Sequence, residues 1–487
     1  MIIKNDKNPL FEKISNLLII ISSFWLLFNI AAVYLFFKGG KPHRIETAAY
    51  IFITAIIIKL ILIWKNNKEE QNIPIWPNPQ SSTKILLFLF SIVAWILLYF
   101  PYLNAPFLSD DYVFIVKYMD SAFVFDESGF FRPVFSSFFY ILMKLFGTNP
   151  LPFHLFNLCF HLGSAIMIYR IAEKLSGSFF PAFSAGLIFF LNPVQAEAAL
   201  WISGLQETLW TFFFLAALTI HLQKRDLTVR STLFASFFVF ISLLSKETAV
   251  CFLPFFIVLD LAVYKFKRGN KLKYAYIAYF LILVFYLLLR SNFSDIPAEH
   301  LPAISFLFIK KILSQPFKVF LFPWNRLFAG QMILLKFIIS SAFVIITTIY
   351  FLKIKDHFRH LMAALAFIYF PLIPLSGMFY VASDLQGSRY LYLSSFGWGL
   401  LLSLVIFKLI GKKVISILFA IFLVIILSLC LKTNLKPWSM ASDIIKILPA
   451  NLKGTMVPDN IYGAYILRNG KAEYEVLKHQ NSIPNKK

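Results

Sequence analysis

Charge is scarce in this sequence. Only 14% of its 487 residues are Asp, Glu, Lys or Arg, where a soluble protein carries about a quarter. Acidic side chains are the rarest of these, 24 against 46 basic ones. Cysteine is close to absent: Cys159, Cys251 and Cys430 all fall inside apolar runs, so they read as small packing residues and no disulfide framework is encoded. There is no glycine-rich phosphate loop, no CxxC pair and no HExxH, which removes the usual signals for ATP and for a tightly held structural metal. No repeat with a period of roughly 20–50 residues occurs, so a solenoid is excluded.

Apolar residues fill the space that charge leaves. They make up 59% of the chain, and mean hydropathy is +0.73. Runs of about 18 or more apolar residues recur from end to end, and in lipid such runs must be helical to satisfy their own backbone. The expected fold is therefore an all-α polytopic membrane protein. Apolar segments fall at 15–37, 47–64, 84–102, 151–172, 179–193, 205–222, 231–246, 248–264, 274–290, 331–352, 361–380, 391–410 and 414–432, about thirteen spans. Two more, 128–147 and 303–324, are broken by Arg132-Pro133, by Gln315-Pro316 and by Pro323; they are expected to lie on the membrane surface. The basic start, Met1 to Lys13, leads into an apolar stretch too long for a cleaved signal and is expected to be a retained first span.

The net charge of +22 does not point to nucleic acid, because Lys and Arg flank apolar runs and form no continuous basic face. They fit the orientation rule for membrane proteins, in which basic loops stay inside. With the N-terminus in the cytoplasm, the inside loops include Lys65 to Lys68, Lys224-Arg225 with Arg230, Lys265 to Lys273, Lys353 to Lys355 with Arg359, and Lys412-Lys413. The 38–46 loop, with Lys38, Lys41 and Arg44, is an exception. Residues 1–433 are then the transmembrane domain, with a first external loop at 103–150, and 434–487 form a short extracytoplasmic tail. The expected address is an integral, multi-pass protein of a bacterial inner membrane, with its site on the external face.

That topology gathers polar residues at one membrane boundary. Asp110-Asp111 follow the third apolar segment. A carboxylate there can take a proton from an attacking hydroxyl, and its neighbour can orient the site, hold a divalent cation or raise the first one's pKa. Either Ser109 or Asp110 would also serve as a helix cap. Arg389, in Gly387-Ser-Arg-Tyr-Leu-Tyr-Leu393, can bind a phosphate with two hydrogen bonds; it and Tyr390 also suit an interfacial belt. Lys246-Glu247 interrupt a stretch that is apolar from Thr232 to Leu259 and form a hairpin tip, with Lys246 a phosphate contact oriented by Glu247. Glu197 and Gln206 flank Ala198 to Gly204; Glu197 can position an acceptor or a cation. Arg132 lies on the same side. His154, Asn157 and His161 share one helix face: the last two suit interhelical hydrogen bonds, and His154, nearest the boundary, is the substrate candidate.

These pieces resemble a known family. The acidic pair is similar to the first-loop motif of GT-C fold glycosyltransferases. Phe131-Arg-Pro-Val, Phe146-Gly-Thr-Asn-Pro, His154 to His161, Asn192 to Gly204, Leu244-Ser-Lys-Glu247 and Ser388 to Leu393 resemble, in order, the membrane O-mannosyltransferases with TPR tails and their bacterial relatives, without the TPR part. The resemblance covers roughly 100–400 and implies a GT-C-like bundle with a polyprenyl-phosphate sugar as donor and a glycan, lipid or protein hydroxyl as acceptor. It implies Asp110 as catalytic base and Asp111 as its partner, with Glu197, Lys246, Glu247 and Arg389 lining the site. A divalent cation, Mg or Mn, is the one cofactor left room for, with Asp111 and Glu197 to hold it. Two alternatives stand beside an enzyme: a lipid-linked glycan flippase, which would place charges near mid-bilayer, and a non-catalytic assembly partner.

Overall fold

The computed structural model describes residues 9–31, 43–66, 78–108, 110–119, 130–223, 227–264, 271–293, 306–324, 333–353, 358–375, 379–382, 385–409 and 413–447. The basic loop at 265–270, Lys38, Lys41, Asp384 and the tail beyond 447 lie outside them. The described residues form seventeen α-helices and no strand. They are α1 (Pro9–Ala31), α2 (His43–Asn66), α3 (Ser81–Tyr99), α4 (Asp111–Met119), α5 (Pro133–Phe146), α6 (Pro150–Ser176), α7 (Phe179–Phe190), α8 (Gln195–Leu200) and α9 (Leu205–Gln223). There follow α10 (Val229–Ser245), α11 (Phe252–Tyr264), α12 (Lys271–Phe293), α13 (Phe306–Leu321), α14 (Ile333–Lys353), α15 (Phe358–Tyr369), α16 (Ser394–Leu409) and α17 (Lys413–Ile447).

Lipid explains the surface. On α3 only Ser91, Trp95 and Tyr99, four residues apart, are buried, while Leu86, Phe90, Val93 and Leu97 are exposed. A spacing of four keeps one narrow stripe on the bundle. The rest of the helix meets hydrocarbon, where apolar exposure costs nothing. Among the described residues, seven stretches are long and apolar enough to cross a membrane: Lys13–Ala31, Ser81–Tyr102, Pro150–Ser176, Ile202–Gln223, Glu247–Tyr264, Leu272–Phe293 and Val414–Trp438. Several of the thirteen expected spans are shorter apolar helices here, among them Phe179–Phe190 and Val229–Ser245. The protein is an integral, multi-pass, helical membrane protein.

The centre is built from α6, α7, α9, α10, α15 and α16, with α1, α2, α13 and α14 packed as a group at one side. Close approach needs small residues: a Cβ at Gly399 would sit 2.7 Å from the Ala185 carbonyl of α7, and one at Gly397 would collide with the Ala364 carbonyl of α15. The two interrupted segments are helices, α5 beginning on Pro133 at its first turn and α13 carrying Pro316 inside. The helix α17 runs unbroken from Lys413 through 433–434 to Ile447.

Candidate active site

One face of α6 holds three loops at the same end of the bundle. His154 donates through Nε2 to the Ala105 carbonyl at 2.8 Å, fixing the segment before the acidic pair. Asn157 donates to the carbonyls of Ala198 (2.9 Å) and Trp201 (3.1 Å), fixing the segment after α8, and accepts from the Thr208 hydroxyl at 2.5 Å. His161 shares a 2.8 Å hydrogen bond with the Tyr392 hydroxyl, fixing the segment before α16. All three side chains are buried. A buried polar group is stable only when bonded, and here each bond anchors a loop.

The acidic pair divides at the start of α4. Asp111 is wholly buried. Its Oδ2 accepts from the Leu108 N–H at 2.8 Å, and its Oδ1 accepts from the Ser203 N–H at 2.7 Å and from the Ser203 hydroxyl. Trp201 Nε1 donates to the Leu108 carbonyl at 3.0 Å, so the 105–111 and 201–204 segments are tied twice. Burial pushes the Asp111 carboxyl up to about 7; the donors from Ser203 and Leu108 pull it back in part, and Asp110 adds to the rise. Asp110, by contrast, is half-buried and lines a cavity of about 270 Å³.

Six more charged groups line that cavity: Lys117, Arg132, Glu207, Lys246, Glu247 and Arg389, with Gln206, Trp201 and Tyr390 beside them. They are paired. Arg132 grips Glu247 through two nitrogens, Nε to Oε2 at 2.8 Å and Nη2 to Oε1, and donates to Gln206 through Nη1. Lys246 pairs with Glu207, whose other oxygen accepts from Trp210 Nε1 at 2.7 Å. Arg389 pairs with Glu197 through Nη1 at 2.5 Å and packs over the rings of Trp201 and Tyr390, 4.8 Å from each centroid. The Lys246 ammonium lies 5.2 Å from the Tyr390 centroid. The Lys246-Glu247 break is a true hairpin tip: α10 stops at Ser245, Lys246 is extended, and a short 3₁₀ turn leads into α11.

Glu197 does not reach the cavity. Its carboxylate accepts from the N–H groups of Gly387 (3.2 Å) and Arg389 (2.9 Å) and from the Ser388 hydroxyl (3.3 Å), as well as from the guanidinium. It is the clamp that sets Arg389. The turn it clamps needs glycine, since Gly387 has φ +85° and a Cβ there would collide with the Tyr380 carbonyl.

Of the ten residues singled out from the sequence, seven line one cavity: Asp110, Arg132, Gln206, Lys246, Glu247, Arg389 and Tyr390. Three do not, and each serves from behind. His154 is turned into packing against Ala105, so it is placed to hold the loop and not to touch a substrate. Asp111 and Glu197 are buried acceptors. Both were the candidates for a cation, and both are already surrounded by protein donors. Among the described residues no group of three or more His, Cys, Asp or Glu side chains is placed to hold a metal ion. Sequence reasoning missed Glu207. Its signal was an acidic residue in the first turn of an otherwise apolar helix, which in lipid demands a cationic partner.

No protein-family model matches the chain. Over 143 residues, 29% of its length, it is 34% identical to Protein O-mannosyl-transferase F38B6.6 of Caenorhabditis elegans. This chain is similar to protein O-mannosyl-transferases. Over 93 residues, 19% of its length, it is 29% identical to Protein O-mannosyl-transferase TMTC2 of Mus musculus. The similarity spans 20% of the first relative's length and 11% of the second's. Solved structures of ArnT from Cupriavidus metallidurans, bound to undecaprenyl phosphate and in the apo state, align over 82% of this chain and 78% and 77% of theirs. Their TM-scores are 0.40 and 0.41, at 12% and 14% identity. Agreement at that level says nothing about the chemistry of this site.

Proposed function

We propose that the chain is a membrane glycosyltransferase that moves a sugar from a polyprenyl-phosphate donor to a hydroxyl acceptor. One observation carries this reading: a half-buried aspartate, Asp110, shares a cavity at the bundle end with four basic side chains, Lys117, Arg132, Lys246 and Arg389. Asp110 takes the proton of the acceptor hydroxyl as its oxygen bonds to the anomeric carbon. The bond from that carbon to the phosphate oxygen breaks, and the phosphate leaves with the electron pair. Arg389 and Lys246 stabilise the charge that gathers on it. Both are held by carboxylates that fix their positions before substrate arrives, which is how a preorganised site differs from a flexible one. The names of the similar proteins make mannose the first sugar to try and a protein hydroxyl the first acceptor.

The test uses membranes containing the full chain, incubated with labelled polyprenyl-phosphate hexoses. Transfer of label by the wild type, and its loss in Asp110→Asn at equal membrane content, supports the reading. Wild-type turnover in Asp110→Asn overturns the assignment of the base, and no transfer from any polyprenyl-phosphate hexose overturns the reaction.

A further inference from the structure

Two separate segments carry the two halves of the proposed reaction. Asp110 leads into α4, and its carbonyl accepts from the Val113 N–H at 3.1 Å. Arg389 belongs to the turn that Glu197 clamps. The reacting sugar carbon must sit between a base and a phosphate-binding cation, so their separation has to be set before substrate arrives. One side chain touches both segments, and it is Trp201.

Trp201 follows α8 and precedes the short 3₁₀ turn Ile202–Gly204. Its backbone is pinned on both sides. The N–H donates to the Glu197 carbonyl at 3.1 Å; the carbonyl accepts from the Gly204 N–H at 3.0 Å and from Asn157 at 3.1 Å. The residue is buried, yet it forms part of the cavity wall. Its indole Nε1 donates at 3.0 Å to the carbonyl of Leu108, two residues before Asp110. Its ring centroid lies 4.8 Å from the Arg389 guanidinium. An indole can do both at once, because it offers a π face to a cation and an N–H at its edge to a carbonyl.

Both contacts fall where they can set position. The Leu108 carbonyl also accepts from the Asp111 N–H at 3.1 Å, and the Leu108 N–H donates to the Asp111 carboxylate at 2.8 Å. Leu108 and Asp111 thereby close a turn that contains Asp110, and the Trp201 bond fixes that turn against the wall. On the other side, Glu197 lies one helical turn before Trp201. The single stretch 197–201 therefore holds Arg389 twice, with the carboxylate at the edge of the guanidinium and the indole on its face.

We propose that Trp201 is a positioning residue that sets the separation between the Asp110 carboxylate and the Arg389 guanidinium. Its N–H holds the Asp110 turn, and its ring holds the guanidinium. This role rests on the transferase reading above.

Trp201→Phe keeps a ring under Arg389 and removes the N–H. The Leu108 carbonyl retains its bond from Asp111, so this variant leaves no acceptor empty. The assay uses membranes containing the full chain at equal content, with labelled polyprenyl-phosphate hexose as donor. In Trp201→Phe, kcat should fall about 10–100-fold while the donor KM stays near that of the wild type. Trp201→Leu removes the ring as well, and the donor KM should then rise about tenfold on top of the loss in kcat. In Asp110→Asn no base remains to be placed, so adding Trp201→Phe should lower kcat no further. A tryptophan that only packs would give no such split between kcat and KM, and its loss would add to that of Asp110→Asn. Wild-type kcat in Trp201→Phe, or full additivity with Asp110→Asn, overturns the proposal and leaves the transferase reading standing. An equal rise of KM in the Phe and Leu variants overturns the part given to the ring. No transfer by the wild type overturns the transferase reading, and the role of Trp201 with it.

Discussion

At its first turn α9 presents Gln206 and Glu207 to a cavity; at its last turn it presents His221 to Asp260. Both ends put ionisable groups into an apolar bundle, about 21 Å apart at the helical rise. At the far end the circuit is closed. His221 Nε2 lies 3.1 Å from Asp260 Oδ2, His221 Nδ1 lies 3.0 Å from the Tyr279 hydroxyl, and the Tyr276 hydroxyl donates to Asp260 at 2.8 Å. The imidazole stacks on Phe256 at 4.6 Å, and neither His221 nor Asp260 has any exposure. At the near end the ion pairs form the wall of a void, and the Arg389 side chain keeps 22% of its surface open. Burial and pairing alone therefore do not mark a site in such a protein. A closed circuit is a strut between α9, α11 and α12, whereas a paired set arranged around empty volume can receive a ligand.

The sharpest test of that contrast sets the two aspartates against each other. Asp110→Asn should lower sugar transfer by about 10²–10⁴-fold, the usual worth of a positioned base. Asp260→Asn should leave transfer rates near wild type at temperatures where the protein stays folded. Equal losses in both would mean that the far-end circuit takes part in the chemistry, and the distinction drawn above would fail.

Next in size is Arg132→Ala. It leaves Glu247, 9% exposed, without its two-pronged partner, and losing one member of a buried pair costs about 3–5 kcal/mol. Thermal stability should drop along with transfer. In Arg132→Ala with Glu247→Gln, stability should return in part while transfer does not. Recovery of both would show that the pair is another strut. Asp260→Asn should cost less, about 1–3 kcal/mol, because the neutral amide still reaches one of its two partners. Its melting temperature should fall with no shift in substrate KM.

Most of the near-end cavity was legible in the sequence because charge is so rare there. Against an apolar background, Asp110, Lys246-Glu247 and Arg389 stand out, and the expected topology places their loops at one boundary. The helical spacing of His154, Asn157 and His161 also correctly put them on one face. What spacing cannot give is which way a boundary side chain turns. His154 and Glu197 point into packing, because a loop carbonyl and a tight turn needed their hydrogen-bonding atoms more than a cavity did. The far-end circuit joins residues 39 apart in sequence, and no local pattern announces it. The lysines of α13 were hidden for a different reason. On a helix expected at the membrane surface they look like ordinary interfacial charge, and only the placement of Tyr380, Val381, Ala382 and Leu385 against them makes a cavity.

The smallest expected effect separates the two members of the acidic pair. Asp111 titrates near 7 in the folded protein against 3.8 for the free group. The folded state therefore holds this proton more tightly than the unfolded chain does. Its contribution to stability is complete below about pH 4 and declines as pH rises, until it is gone above about 7. The tie between the 105–111 and 201–204 segments should loosen over that window, and the melting temperature should fall with it. Asp111→Asn should flatten this slope, because an amide carries no proton to lose. A slope that survives in Asp111→Asn would place the titration elsewhere and return Asp111 to the same standing as Asp110. A slope that vanishes leaves Asp111 as the residue that sets the loop and Asp110 as the one that faces the substrate.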